Sequence, residues 1–332
     1  MTSEIITFAS YSIKIKDKKD EDKKLSLDKL YKKGLEENMN DLLDVLISFF
    51  NANELTIDKK LAISEKKEIN KKIYFSIKKK IVSLEHFRND NRIIYGVFNY
   101  GSFGKETKVM SLNNFNEEII GEGKALLQPF YFLFYIPKDR ERGILILERR
   151  GNNGIKTTLD EWLEKDLFSE DKVLYGYRPK IKGFLPKNDW EKLIDSATVT
   201  SFEFEEVSGL PDKTDYINNE FEGIKGTATV KINVNKKESK ANIKKLFTNI
   251  ISKNHDQTNG FIEFEEKRIT NLRVKMKING KERTYSADGE SISPHMDIEV
   301  SENDFEKGYP KFEIIHQKAI EHKDYLKKFM EN

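Results

Sequence analysis

Two unbroken apolar runs, 130–136 (FYFLFYI) and 144–147 (ILIL), interrupt a chain whose hydrophobic positions elsewhere alternate or recur at helical spacing. Runs of this length, aromatic and β-branched and without alternation, belong to strands buried on both faces. The polar turn 137–143 between them completes a hairpin, so 130–147 is expected to be the centre of a sheet. Its second strand exits through Glu148, Arg149 and Arg150 into a Gly-Asn-Asn-Gly loop. A helix over 158–166 is expected next, with Thr158 as its cap and Glu161 closing a capping box.

Ahead of this hairpin, strands are expected over 4–15, within 72–85 (KIYFSI, then IVSLEH) and over 93–100. Leu27, Leu30 and Tyr31 suggest a short helix. Asn40 is placed to cap a stronger one, in which Leu42, Leu43, Leu46, Ile47 and Phe50 share a face. The turn 99–104 is expected to fold 93–100 into a hairpin with 108–112, and Ile119 and Ile120 to add an edge strand. Trp190, Leu193 and Ile194 fit another short helix.

From Thr198 onward the pattern changes to clean period-two alternation. Phe202 and Phe204 oppose Glu203 and Glu205; Ala228, Val230, Ile232 and Val234 oppose Thr229, Lys231 and Asn233. One wet face and one dry face is the mark of antiparallel sheet. Ile243, Leu246, Phe247, Ile250 and Ile251 give an amphipathic helix, followed by strands at 261–264 and 272–278. Asn279-Gly280 makes a two-residue hairpin turn, which pairs Lys277 with Glu282 and Val274 with Tyr285. A last helix from about Glu313 carries Ile315, Ala319, Leu326 and Met330 on one side. The fold expected is α+β in two domains, 1–195 built on the 130–147 hairpin and 196–332 with the terminal helix. Each is a mostly antiparallel sheet with packed helices, and the second allows a ferredoxin-like arrangement.

Composition narrows the chemistry. Of 332 residues, 34% are charged, but 58 basic residues are nearly cancelled by 56 acidic ones, for a net charge of +2. That balance argues against a uniform coat for nucleic acid and leaves local basic patches open. With no cysteine there is no disulfide, no thiol nucleophile and no Cys-ligated metal. No signal peptide and no membrane span are evident, so a cytoplasmic protein is expected. The Lys, Asn and Ile bias suggests an AT-rich bacterial genome, and a stand-alone chain of this kind suits an accessory or phage-defence locus.

Few motifs carry chemistry. The histidines are 86, 255, 295, 316 and 322, and no pair has the i, i+4 spacing of a helical metal site. His316 and His322 are six apart on the last helix and point away from each other; His322 falls on its apolar stripe, as a satisfied core histidine would. His295 and Asp297 alternate on one possible strand. Gly151, Gly154, Lys156 and Thr157 have the composition of a phosphate loop without its spacing. The Gly-Asn-Asn-Gly tetrad matches the clamp of KH domains but follows a strand where that loop joins helices. An anion contact by Arg149, Arg150 and Lys156 at a helix N-terminus is the functional alternative to a purely structural loop.

An apolar strand ending in Glu265-x-Lys267 resembles the metal-and-lysine half of the PD-(D/E)xK nucleases. The resemblance covers about eight residues and implies Mg²⁺ held by Glu263 or Glu265, with Lys267 steadying a water. The Asp that the chemistry needs on an adjacent strand is missing from 227–234. For nucleic acid the best feature is Arg273, Lys275 and Lys277, alternating along one strand about 7 Å apart, a spacing that can follow phosphates. Lys78 to Lys80, Arg88, Arg92, Arg140 and Arg142 are further cations. The leading expectation is a non-enzymatic cytosolic protein that binds nucleic acid or a protein partner through charged strands and loops, without a cofactor. The competing expectation is a Mg²⁺-dependent nuclease using Glu263, Glu265 and Lys267.

Overall fold

The computed structural model describes residues 6–32, 35–54, 66–69, 72–77, 79–111, 116–150, 153–186, 198–207, 227–233, 261–263, 272–278, 281–286 and 295–330. The protein is mixed α+β, mostly antiparallel sheet with few helices. It divides into two units, Met1–Ile181 with His295–Lys327 and Lys182–Pro294 with Lys328–Asn332. The terminal helix falls with the first of these units.

The elements of the first unit are β1 (Ile6–Asp17), α1 (Leu42–Glu54), β2 (Lys66–Ile69), β3 (Lys72–Ile77), β4 (Lys80–Asp90), β5 (Ile93–Ser102), β6 (Gln128–Tyr135), β7 (Gly143–Arg150), α2 (Lys156–Leu163), β8 (Tyr177–Pro186), β9 (His295–Ile298) and α3 (Phe312–Lys327). The sheet runs β2-β3-β4-β5-β6-β7-β1-β8, and β9 also pairs with β1. The hairpin expected at 130–147 is β6 and β7, with Phe132 opposite Leu147 and Tyr135 opposite Ile144. It lies mid-sheet, flanked by β5 and β1.

Strand alternation sends the hairpin's side chains to two faces, and both are covered. Phe130, Phe132 and Phe134 share one face with Leu145 and Leu147, and with Ala9, Tyr11 and Ile13 of β1. On this face α1 sets Phe50 against Phe132 at 5.3 Å, and Trp162 of α2 stacks on Phe75 at 5.7 Å. Gly96 of β5 faces a bulge in β4 between Leu84 and His86; a Cβ there would sit 2.2 Å from the His86 carbonyl oxygen. The bulge therefore requires glycine at this position.

The opposite face carries Phe8, Ser10, Tyr131, Leu133, Ile146 and Glu148, all buried, and is roofed by α3. Its polar groups find partners. Ser10 Oγ and His322 Nε2 are 2.7 Å apart, and Tyr131 Oη and His316 Nδ1 are 2.8 Å apart. The Glu148 carboxylate accepts the Tyr131 backbone N–H at 2.8 Å and the Arg150 Nε–H at 2.8 Å. His322 is buried as the apolar stripe led one to expect, with its Nε2 on Ser10. His316 also reaches the sheet, stacked on Tyr95 at 3.9 Å, because α3 crosses several strands and touches different ones with different sides.

Local expectations fail where a distant partner intervenes. No helix forms at 27–31: Leu27 N–H donates to the Arg140 carbonyl, Leu42 N–H donates to the Leu27 carbonyl, and Leu30–Lys32 pairs with Leu35–Asn40. Asp41 rather than Asn40 caps α1, accepting the Leu43 N–H while both its oxygens take Arg92. The Thr158 capping box is absent. Helix α2 starts at Lys156 without a side-chain cap, Thr158 is buried inside it, and Glu164–Phe168 continues it as a π turn. Thr107–Met110 pairs with Glu117–Ile120 and not with β5.

In the second unit, Thr198–Val207 lies between Thr227–Asn233 and Leu272–Ile278, and Lys281–Ser286 takes the far edge, all antiparallel. Leu272–Ile278 and Lys281–Ser286 pair in the expected register, Lys277 opposite Glu282 and Val274 opposite Tyr285. The strand at Thr198–Val207 thus separates Thr227–Asn233 from Leu272–Ile278, and a ferredoxin-like arrangement is not confirmed. The end of β8, Phe184–Pro186, pairs with Phe261–Glu263. The helices expected at Trp190 and at 243–251 fall outside the described residues.

Two measurements test this packing. Phe132→Ala removes a fully buried ring and should cost about 3–5 kcal/mol in urea unfolding, whereas Val109→Ala on an exposed strand should stay within about 0.5 kcal/mol. Burial, and then the nearby Arg88, hold the His316 imidazole below its ordinary 6.5. The folded chain therefore binds fewer protons than the unfolded chain once pH drops through 6.5. The stability linked to His316 is full above that value and is lost as pH falls through the folded pKa. His316→Phe should remove this part of the acid sensitivity, read as unfolding midpoints from about pH 8 to about pH 5.

Candidate anion-binding site

Three short connections meet beside the β6 end of the sheet. The β3–β4 turn places Lys79 in the left-handed region, at φ 64°, and its carbonyl accepts the Phe103 N–H at 3.0 Å. Gly104 follows at φ 84°, and its N–H donates to the Glu122 carbonyl at 2.8 Å. Lys124 N–H closes the third turn on the Gly121 carbonyl at 3.0 Å. Gly104 is also where the Lys79 side chain crosses the backbone, since a Cβ would meet its Cδ at 2.9 Å.

These connections enclose a cleft of about 420 Å³. Lys79, Lys80, Lys105 and Lys124 line it, and all four are exposed. No Asp or Glu is among the described residues that line it, and none of the four lysines has an ion-pair partner among the described residues. Four cations around one recess, with no carboxylate among its described lining residues, favour an anion there. Phe103, Ile120 and Leu126 give the walls an apolar part, Gln128 and Asn153 bring amides, and Tyr100 and Phe130 form a buried floor in edge-to-face contact at 5.8 Å.

The expected loop cluster is used differently. Arg150 pairs with Glu148 at 2.6 Å and lies between the rings of Phe130 and Tyr309, at 5.0 and 4.6 Å. Lys156 pairs with Asp160 at 2.9 Å, one turn along α2. Arg149 lies over Gly154, whose Cβ would meet its Cγ at 3.2 Å, with Nε buried. Asn153 of the same loop pairs with Arg150 and reaches the lysine cleft. The loop thus joins the site through an asparagine while its cations are held by carboxylates or covered.

Arg273, Lys275 and Lys277 take alternate positions on Leu272–Ile278, opposite Glu203, Ser201 and Thr198 on one side, with Lys277 exposed. On the other side Lys277 faces Glu282. Glu263 ends a three-residue strand opposite Phe184, and Glu265 and Lys267 lie outside the described residues. His295 and Asp297 sit opposite Ala9 and Thr7 of β1. Ser10 and His322 have the spacing of a nucleophile and its base, but Ser10 is 1% exposed, so no substrate reaches it.

A second cleft, of about 660 Å³, lies between α1 and the π turn, with Asp44, Ser48 and Lys172 on its rim and Val45 and Phe49 beneath. Among the described residues no group of three His, Asp or Glu side chains is arranged to hold a metal ion. None of their helices is long and apolar enough to cross a membrane. In comparison with known proteins, no family model and no curated sequence matches this chain.

Proposed function

We propose that this is a cytosolic, non-enzymatic nucleic-acid-binding protein that seats phosphates in the cleft of Lys79, Lys80, Lys105 and Lys124. The observation that carries the reading is the absence of any carboxylate from the described lining of a recess holding four lysines. Some cations of the same chain are neutralised locally, Arg92 on Asp41, Arg150 on Glu148 and Lys156 on Asp160. Four lysines converging on one recess, with no carboxylate in its described lining, point to a partner from outside. In this reading the chain works as two α+β domains, and the strand with Arg273, Lys275 and Lys277 supplies a second line of phosphate contacts.

Binding of labelled DNA and RNA is measured from about 50 to about 200 mM salt, where each neutralised phosphate adds about 0.7–0.9 to the slope of log K against log salt. Replacing Lys79, Lys80, Lys105 and Lys124 by alanine should lower affinity and flatten that slope by roughly 3. Alanine at Arg273, Lys275 and Lys277 should flatten it by roughly 2–3. An unchanged slope for the quadruple variant removes the cleft from the interaction. The assay repeated with Mg²⁺ separates the runner-up: cleavage that depends on Mg²⁺ and on Glu263, Glu265 and Lys267 would make the protein a nuclease.

A further inference from the structure

The lysine cleft combines features that duplex nucleic acid cannot satisfy. A duplex turns its phosphates outward and hides its base faces in the stack, so lysines alone are enough to hold it. Here the lysines share their recess with apolar side chains. Leu126 is 53% exposed, and Phe103 and Ile120 are partly exposed. Among the seven large exposed hydrophobics of the described residues, Leu126 lines the cleft and Leu127 follows it in the chain. Apolar groups concentrated beside a functional recess are characteristic of a contact surface.

From this we infer that the cleft is selective for single-stranded nucleic acid, holding the backbone on its lysines and an unstacked base against Phe103, Ile120 and Leu126. The inference rests on the reading of the cleft as a phosphate site. A volume of about 420 Å³ suits a small molecular group, such as a base with its sugar, and not the girth of a duplex. Base faces become available only when the strand is single, and protein sites for such strands combine cations along the backbone with flat or apolar contacts to the bases. Gln128 and Asn153 each add an amide donor and acceptor, the groups that read the edge of an extruded base. An anionic lipid surface would match the lysines, but Phe103, Ile120 and Leu126 line a recess, which suits an inserted group better than a flat surface.

Strand pairing supplies an internal control. Thr107 and Ile120 are opposite one another and both line the cleft. Ile119 is adjacent to Ile120 and so lies on the other face of the same hairpin, opposite Lys108.

The test compares a labelled single-stranded oligonucleotide with a hairpin duplex of the same sequence, on the full chain at one salt concentration. The wild type should prefer the single strand by roughly tenfold or more. Leu126→Ser and Phe103→Ala should each weaken single-strand binding by roughly fivefold or more and change duplex binding by less than about twofold. Ile119→Ser should leave both unchanged, and unaltered thermal unfolding verifies that each variant is folded. Equal affinity for strand and duplex, or equal losses for both in Leu126→Ser, overturns this inference and leaves the phosphate-binding reading standing. Binding to neither overturns both, and capture instead by phosphatidylserine vesicles would show the cleft to be a membrane contact.

Discussion

A hairpin that buries both of its faces has to be roofed twice, and the first unit is built around that constraint. Phe130, Phe132 and Phe134 point one way, Tyr131 and Leu133 the other, and none of the five is more than 1% exposed. One roof is supplied by α1, from well before the hairpin in sequence, and by α2, which follows it closely. The other is α3, taken from beyond residue 310. Neighbouring strands inherit the same two faces through register, which is why β1 alternates Phe8 and Ser10 against Ala9 and Tyr11 and buries all four.

The two roofs differ in chemistry. Under α1 and α2 the contacts are rings on rings, and shape complementarity holds the layers together. Under α3 the sheet carries hydroxyls and a carboxylate, and burial of such groups costs free energy unless each is hydrogen-bonded. Ser10, Tyr131 and Glu148 are paired by His322, His316 and Arg150. The result is a face that accepts one helix in one position, since a shifted α3 would leave several buried polar groups without partners.

Much of this was readable from residue pattern. The 130–147 hairpin, the strand near the start and the Asn279-Gly280 register depend on neighbours in sequence, and the structure has them. The short helix at 27–31 was misread because Leu27 answers to Arg140 and Leu42, which periodicity cannot see. The terminal helix was recognised as a helix but its partner strands were not, since an amphipathic stripe says that a face is buried and not against what. The candidate site was only partly legible. Lys79 and Lys80 stand out as a cluster, but Lys105 and Lys124 join them through turns whose closure depends on backbone hydrogen bonds across tens of residues. Arg150 and Lys156 drew attention as cations, although their carboxylates, Glu148 and Asp160, lie two and four positions away.

The bond between Ser10 and His322 joins positions 312 apart, with residues 182–294 of the second unit between them in sequence. During synthesis, residues 6–181 emerge able to close one face of the sheet but not the other. At typical elongation rates of about 5–20 residues per second, the helix that covers Phe8, Tyr131 and Leu133 arrives roughly ten seconds later. For that interval the nascent chain carries an open apolar surface, and the yield of native protein depends on what shields it on the ribosome until α3 docks.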